Sequence, residues 1–416
     1  MSLIQLIAIL ITVVTLFSYI NYRWVKLSTT IGLMVIAGTA SLAVMALNQL
    51  GIPIENIADE LMGKIDFGMV LLQGMLSFLL FSGALQIDLA ALLRVKGVVL
   101  TVALVGTILS TFIIGGLLHF VCNMVGQPLD MIYCLLFGAL ISPTDPIAVI
   151  ALLKRVKAPK ELEMKIAGES LFNDGVGIVL FTVILSLINN PGSSSALTTG
   201  TIMFLREAVG GALFGFVTGW IIKKLIEGVE DHSVQVLLSL ALVMGGYALA
   251  LYIHVSAPIA MVVAGLLVGS AFQQYMVGDH HHGHSHFLAF WEIIDEVLNS
   301  ILFALIGLEM VLLPFTQWGV ILGFLAVPII LIARWISVHG LVKALSLTKP
   351  VNMQEVKILV WGGLKGGLAL AMALSIPPNP YRELLMVATY VVVIFSLIVQ
   401  GLTFKNLLVF PQQQKV

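Results

Sequence analysis

The chain is expected to be an all-α polytopic membrane protein, and three features of its 416 residues carry that expectation. Hydrophobic residues make up 59% of it and charged residues only 10%, against about 25% charged in soluble domains. Apolar runs of roughly 20 residues, the length that crosses ~30 Å of hydrocarbon, recur from end to end. The basic residues between those runs fall on alternate loops.

Thirteen runs fit, at about 3–20, 27–50, 67–86, 97–122, 131–153, 162–189, 202–226, 234–252, 256–274, 293–313, 318–345, 356–376 and 383–410. The first lacks the basic n-region and small-residue cleavage site of a signal peptide, so it reads as a retained helix. With alternating crossings, sixteen Lys and Arg residues collect on one side, among them Arg23, Lys26, Arg94, Lys96, Lys154 and Arg155, against Lys64, Arg206 and Arg382 on the other. The positive-inside rule makes the crowded side cytoplasmic, with the N-terminus outside, the C-terminus inside and an odd number of crossings. A multi-pass protein of the cell (inner or plasma) membrane is therefore expected. A net charge of −1 gives no reason to expect a nucleic-acid partner. Cys122 and Cys134 are more simply small apolar residues of a bundle than a disulfide.

Helix breakers mark the fifth and twelfth runs. In Ser142-Pro143-Thr144-Asp145-Pro146 two prolines bracket a Thr-Asp pair, and each removes a backbone donor and disfavours helix just before it. In Gly362-Gly363-Leu364-Lys365-Gly366-Gly367 four glycines flank a single cation. Non-helical backbone at membrane depth survives only buried in protein or beside a wet cavity. Runs seven apart enter from opposite sides, so inverted repeats of helices 1–6 and 8–13, with the broken helices 5 and 12 crossing, are expected. A simple proline kink is the rival reading, but it needs no acid, and an unpaired Asp145 in lipid costs about 2.5–3.5 kcal/mol even on the lenient insertion scale.

The sixth run supplies the other half of a site. Ser170 and Asp174 are four residues apart and share a helix face, and Glu169 and Asn173 repeat that spacing about 100° around it. The hydroxyls of Thr144 and Ser170, free carbonyls, Asp145 and Asp174 are hard oxygen ligands suited to Na+ or a similar ion, with Asn173 beside them. Glu169 needs a cation, and the intramembrane bases on offer are Arg334 and Lys365. A carboxylate in such a site holds a proton or a cation but not both, so the two compete and exchange becomes obligatory. Asn173 adds no charge, which makes one proton per monovalent cation the simplest stoichiometry. This describes a carrier with no enzymatic chemistry and no cofactor beyond the transported ions.

The motifs SPTDP, GESLFNDG and WGGLKGGLALAMAL together resemble the sodium/proton antiporters of the NhaP and sodium-hydrogen exchanger type, the electroneutral branch of the monovalent cation:proton antiporters. The resemblance spans essentially the whole chain. It implies a homodimer, a core domain around helices 3–6 and 10–13 that moves like an elevator, and a dimerisation domain from the remaining helices. It also implies that Asn173-Asp174, Thr144-Asp145, Glu169 and Ser170 are the family's site residues. Two positions depart from the pattern: Lys365 stands where relatives carry Arg, losing the planar fork, and Phe81-Ser82-Gly83 has Ser where many relatives have Glu. Arg334 is then the favoured partner of Glu169.

Other polar groups weigh less. Glu309 reads as an interfacial or funnel residue, and His119, His254 and His339 as satisfied helix-end side chains. The segment 274–292 reads as a histidine-rich cytoplasmic loop in which His280, His281, His282, His284 and His286 could bind Zn2+ or Ni2+ or sense pH, or do nothing specific. The function expected is exchange of H+ for Na+, with Li+ or K+ as alternative cargo. Less favoured are a divalent-metal transporter fed by the histidine segment, which would want ligands inside its helices, and a channel, which would not need buried acids paired with buried bases.

Overall fold

The computed structural model describes residues 3–50, 70–189, 196–275, 281–345 and 352–408. Helices α1 (Leu3–Ile20) and α2 (Thr29–Gln49) lead to α3 (Leu76–Leu85) and the long α4 (Leu89–Met124). Helices α5 (Met131–Ile141) and α6 (Ile147–Arg155) follow, then α7 (Lys160–Asn189), α8 (Ala196–Glu227), α9 (His232–Tyr252) and α10 (Ala257–Tyr275). Helices α11 (His281–Glu309), α12 (Gln317–Leu345), α13 (Met353–Trp361), α14 (Gly367–Leu374) and α15 (Arg382–Leu407) complete the bundle. No strand occurs among the described residues. Eight of these helices are unbroken and long and apolar enough to cross a membrane.

Three helix starts on the basic side are set by side-chain caps. Asp88 accepts from the Ala91 amide at 3.0 Å, Asp231 from Ser233 and Val234 at 2.8 and 3.3 Å, and Asn352 from Gln354 and Glu355 at 3.0 and 3.4 Å. Each satisfies amides that a helix N-terminus leaves orphaned. Within the bundle, small residues let backbones approach. Gly215 and Gly219 of α8 face Ala260 and Ala264 of α10, and a Cβ on either would come within 2.7 Å of the alanine Cα. Four-residue spacing of small residues on both helices is the usual means of close packing where no hydrophobic force separates helix from lipid. The opposite face of α8, including Ile202, Leu205, Val209, Leu213, Phe216 and Trp220, is exposed and apolar.

The histidine segment is shorter as a loop than its sequence implies. Helix α11 begins at His281, because Phe287 and Trp291, one turn apart, are fully buried and carry the helix back from the bundle. His280 lies outside the described residues, as do the side chains of His281, His282 and His284. Cys122 and Cys134 are buried free thiols.

Candidate ion-exchange site

The two breaks are where the two halves of the bundle meet. Helix α5 ends at Ile141 with Ser142 as its C-cap, Pro143 and Pro146 disfavour continuation, and Asp145 accepts from the Ile147 amide at 3.0 Å, at the first turn of α6. Between α13 and α14 the chain runs extended through Gly366. The exposed backbone of this second break is taken up by α15, whose Ser396 hydroxyl accepts from the Lys365 amide at 2.8 Å and whose Gln400 donates to the Trp361 carbonyl at 3.3 Å. The breaks touch directly: the Asp145 amide donates to the Leu364 carbonyl at 2.7 Å. A Cβ on Gly366 would fall on the Asp145 carboxylate, so only glycine permits this crossing.

Each intramembrane base is engaged by a partner other than Asp145 or Asp174. Arg334 of α12 grips Glu169 of α7 through both guanidinium ends, at 2.5 and 2.8 Å, and donates again to the Leu359 carbonyl at 3.2 Å. Lys365 donates to the Ser142 and Pro143 carbonyls at 2.9 and 3.1 Å, the negative end of α5. Arg334, and not Lys365, is thus the partner of Glu169. This follows from shape, since a planar fork matches a carboxylate while a compact ammonium serves diverging carbonyls.

Helix α7 is tied to the first break by two of its side chains, Asn173 and Ser170. Asn173 donates to the Thr144 hydroxyl at 2.9 Å and to Glu169 at 3.3 Å, and accepts from the Thr144 amide at 3.2 Å. The Ser170 hydroxyl donates to the Thr144 carbonyl. Asn173 is fully buried and its polar atoms are all engaged, so it braces the break and stands apart from the cavity.

That cavity, about 370 Å³, is lined by Thr144, Asp145, Ser170 and Asp174 and runs to Lys154 and Glu163, at the basic ends of α6 and α7. Among the described residues no basic side chain lies within ion-pair distance of Asp145 or Asp174, and no donor is bonded to the Asp174 carboxylate. Two acids on a cavity wall without a direct ion-pair partner can take up a proton or a cation.

Some expectations land elsewhere. Ser82, at the departure from the family's acid, is fully buried and donates to the Trp291 carbonyl at 2.9 Å, joining α3 to α11. Glu309 is buried instead of lining a funnel, with Oε2 unpartnered. His286 is exposed beside His232, their rings 5.9 Å apart, and no group of three metal-ligating side chains occurs among the described residues. Sequence reading missed Asp295 and Asn299 of α11, which line the same cavity. Their signal was an acid and an amide four residues apart at the start of an apolar run, hidden by the neighbouring Glu292 and Glu296.

Comparison with known proteins adds lineage to this geometry. A family model described as sodium/hydrogen exchanger, transmembrane, matches residues 9–410. The chain is 44% identical over 406 residues, 96% of its length and 95% of the relative's, to the Na(+)/H(+) antiporter NhaP of Pseudomonas aeruginosa. It is 35% identical over 340 residues, 80% of this chain and 81% of the relative, to the Na(+)/H(+) antiporter NhaH of Halobacillus dabanensis. In fold it is similar to the solved structure of the sodium proton antiporter MjNhaP1 from Methanocaldococcus jannaschii at pH 8, with a TM-score of 0.76, 20% identity and 98% of each chain covered. With a family model matching nearly its full length around a crossing of two broken helices, this chain belongs to the transmembrane sodium/hydrogen exchanger family.

Proposed function

We propose that the chain is a secondary antiporter that exchanges H+ for Na+ by alternating access, with proton and cation competing for Asp174 and Asp145. The observation that carries this is that Asp145 and Asp174 line the cavity without a direct ion-pair partner, Arg334 being held by Glu169 and Lys365 hydrogen-bonded to two carbonyls while its charge still reaches Asp174. Thr144 and Ser170 complete an oxygen-rich wall suited to a hard monovalent ion. The names of the relatives agree with this cargo, and Li+ or K+ remains alternative cargo because the same oxygens serve them.

In this reading Asp174 is the exchanging carboxylate, Asp145 its companion, and Asn173 a brace that adds no charge, so exchange is one to one and electroneutral. Thirteen crossings in two inverted repeats, an outside N-terminus and an inside C-terminus fit the distribution of basic residues. The exposed apolar face of α8 suits lipid or a second copy, as a homodimer with a moving core requires.

Proteoliposomes with a preset ΔpH test the reading. Na+, Li+ or K+ added outside should collapse the gradient in the unmodified protein and not in Asp174→Asn. Full exchange in that variant overturns the carrier site, and a rate that follows membrane potential overturns one-to-one exchange.

A further inference from the structure

Asp295 is a third cavity acid that the exchange mechanism does not use. Asp295, Asn299 and Leu302 recur at i, i+4 and i+7 on α11 and all three line the cavity. Leu302 packs against Gly367, at the level where the broken helices cross. Asp295 is seven residues, or ~10 Å along the helix, closer to the end of α11 that starts on the basic side. The stripe therefore leads from the cavity's mouth, where Lys154 and Glu163 stand, toward the crossing.

The other charges around it sharpen its role. Glu292 and Glu296 on the same helix are exposed and do not line the cavity. Among the described residues Asp295 has no ion-pair partner, while the field of Asp145 reaches it across the cavity. Asn299, more than nine-tenths buried, stands one helical turn on from Asp295 and lines the same cavity. An acid and a buried amide side by side on the wall of the cavity that holds Asp145 and Asp174 offer oxygens to a cation on its way to them.

We propose that Asp295, with Asn299 beside it on the cavity wall, is a staging carboxylate that takes a monovalent cation entering from the cytoplasmic mouth and hands it to Asp174. The proposal rests on the reading of Asp174 as the exchanging group. Its effect belongs to cation capture from one side, and proton competition at Asp174 is left as it was.

The experiment is Na+-driven collapse of ΔpH in everted membrane vesicles, in which the cavity mouth faces the added cation. Asp295→Asn should raise the apparent KM for Na+ about tenfold with the maximal rate kept within about twofold, and Asp295→Glu should restore most of the affinity. Glu296→Gln, on the exposed face, should change neither quantity. An unchanged KM in Asp295→Asn overturns the proposal, as does a lost maximal rate at unchanged KM that Asp295→Glu does not rescue. If Asp174→Asn is inactive while Asp295→Asn keeps its KM, staging alone fails. If Asp174→Asn still exchanges, the carrier reading itself fails.

Discussion

Arg334 and Glu169 form a two-point ion pair across α12 and α7, with Nη1 to Oε1 at 2.5 Å and Nη2 to Oε2 at 2.8 Å. Both side chains are buried, so the pair has to cover the desolvation of two charges, and it does so with a fitted fork and a further bond to the Leu359 carbonyl. Removing one partner leaves the other charge buried and alone. Arg334→Ala should cost about 3–5 kcal/mol in thermal unfolding of the detergent-solubilised protein, and exchange should fall with it. The double variant Glu169→Leu with Arg334→Leu should lose less than the single one, since no orphan charge remains.

Lys365 has a different task, and its loss should look different. Its ammonium satisfies two carbonyls at the end of α5, so Lys365→Met strands both and should destabilise by about 2–5 kcal/mol, from the cost of unsatisfied buried acceptors. Lys365→Arg keeps the charge and should lose less. A thermal-shift series over the three proteins checks the order.

Much of this arrangement is legible before folding, because its punctuation is local. Pro143 and Pro146 each remove a backbone donor and disfavour helix just before them, and the glycines around Lys365 permit a second break for equally local reasons. The division of labour between Arg334 and Lys365 is not legible in that way. Both are cations in apolar runs, and which one meets Glu169 depends on how α12 and α13 pack, a tertiary fact. Asn173 shows the same limit: its spacing from Glu169 is visible, but its full use by Thr144 and Glu169 is settled by the break that folds against it. Asp295 was obscured because Glu292 and Glu296 beside it make it read as one more of the solvated acids at the start of its run.

Asn173→Asp tests whether that residue is brace or ligand. An aspartate cannot donate to the Thr144 hydroxyl or to Glu169, and would set a second carboxylate against the Glu169 oxygen now 3.3 Å away. The expected outcome is a protein destabilised by about 1–3 kcal/mol, the cost of a broken buried hydrogen-bond network, with reduced exchange. A variant that folds as before and transports with a new dependence on membrane potential would instead make position 173 a titrating member of the site.

The closeness of the two breaks gives a test by one methyl group. A Cβ at Gly366 would overlap the Asp145 carboxylate, and the backbone bond from Asp145 to Leu364 leaves little room to retreat. Gly366→Ala should therefore push the breaks apart and depress exchange at least tenfold, while helix content by circular dichroism stays unchanged. Gly340→Ala, where a Cβ meets nothing within 4 Å, is the matched control and should exchange normally.

The proposed competition of proton and cation for Asp174 also fixes the sign of the pH dependence. A proton on Asp174 excludes the cation, so lowering the pH on the side of the cavity mouth should raise the apparent KM for Na+, approaching about tenfold per pH unit once the proton-bound form dominates. The maximal rate at saturating Na+ should change far less, because excess cation displaces the proton by mass action. By the same linkage, raising Na+ should move the acid limb of the exchange profile to lower pH. Initial rates of ΔpH collapse over a grid of Na+ concentration and pH check both statements. Parallel lines of maximal rate and KM, each falling together with pH, would mean that proton and cation occupy separate groups and that Asp174 does not hold them in turn.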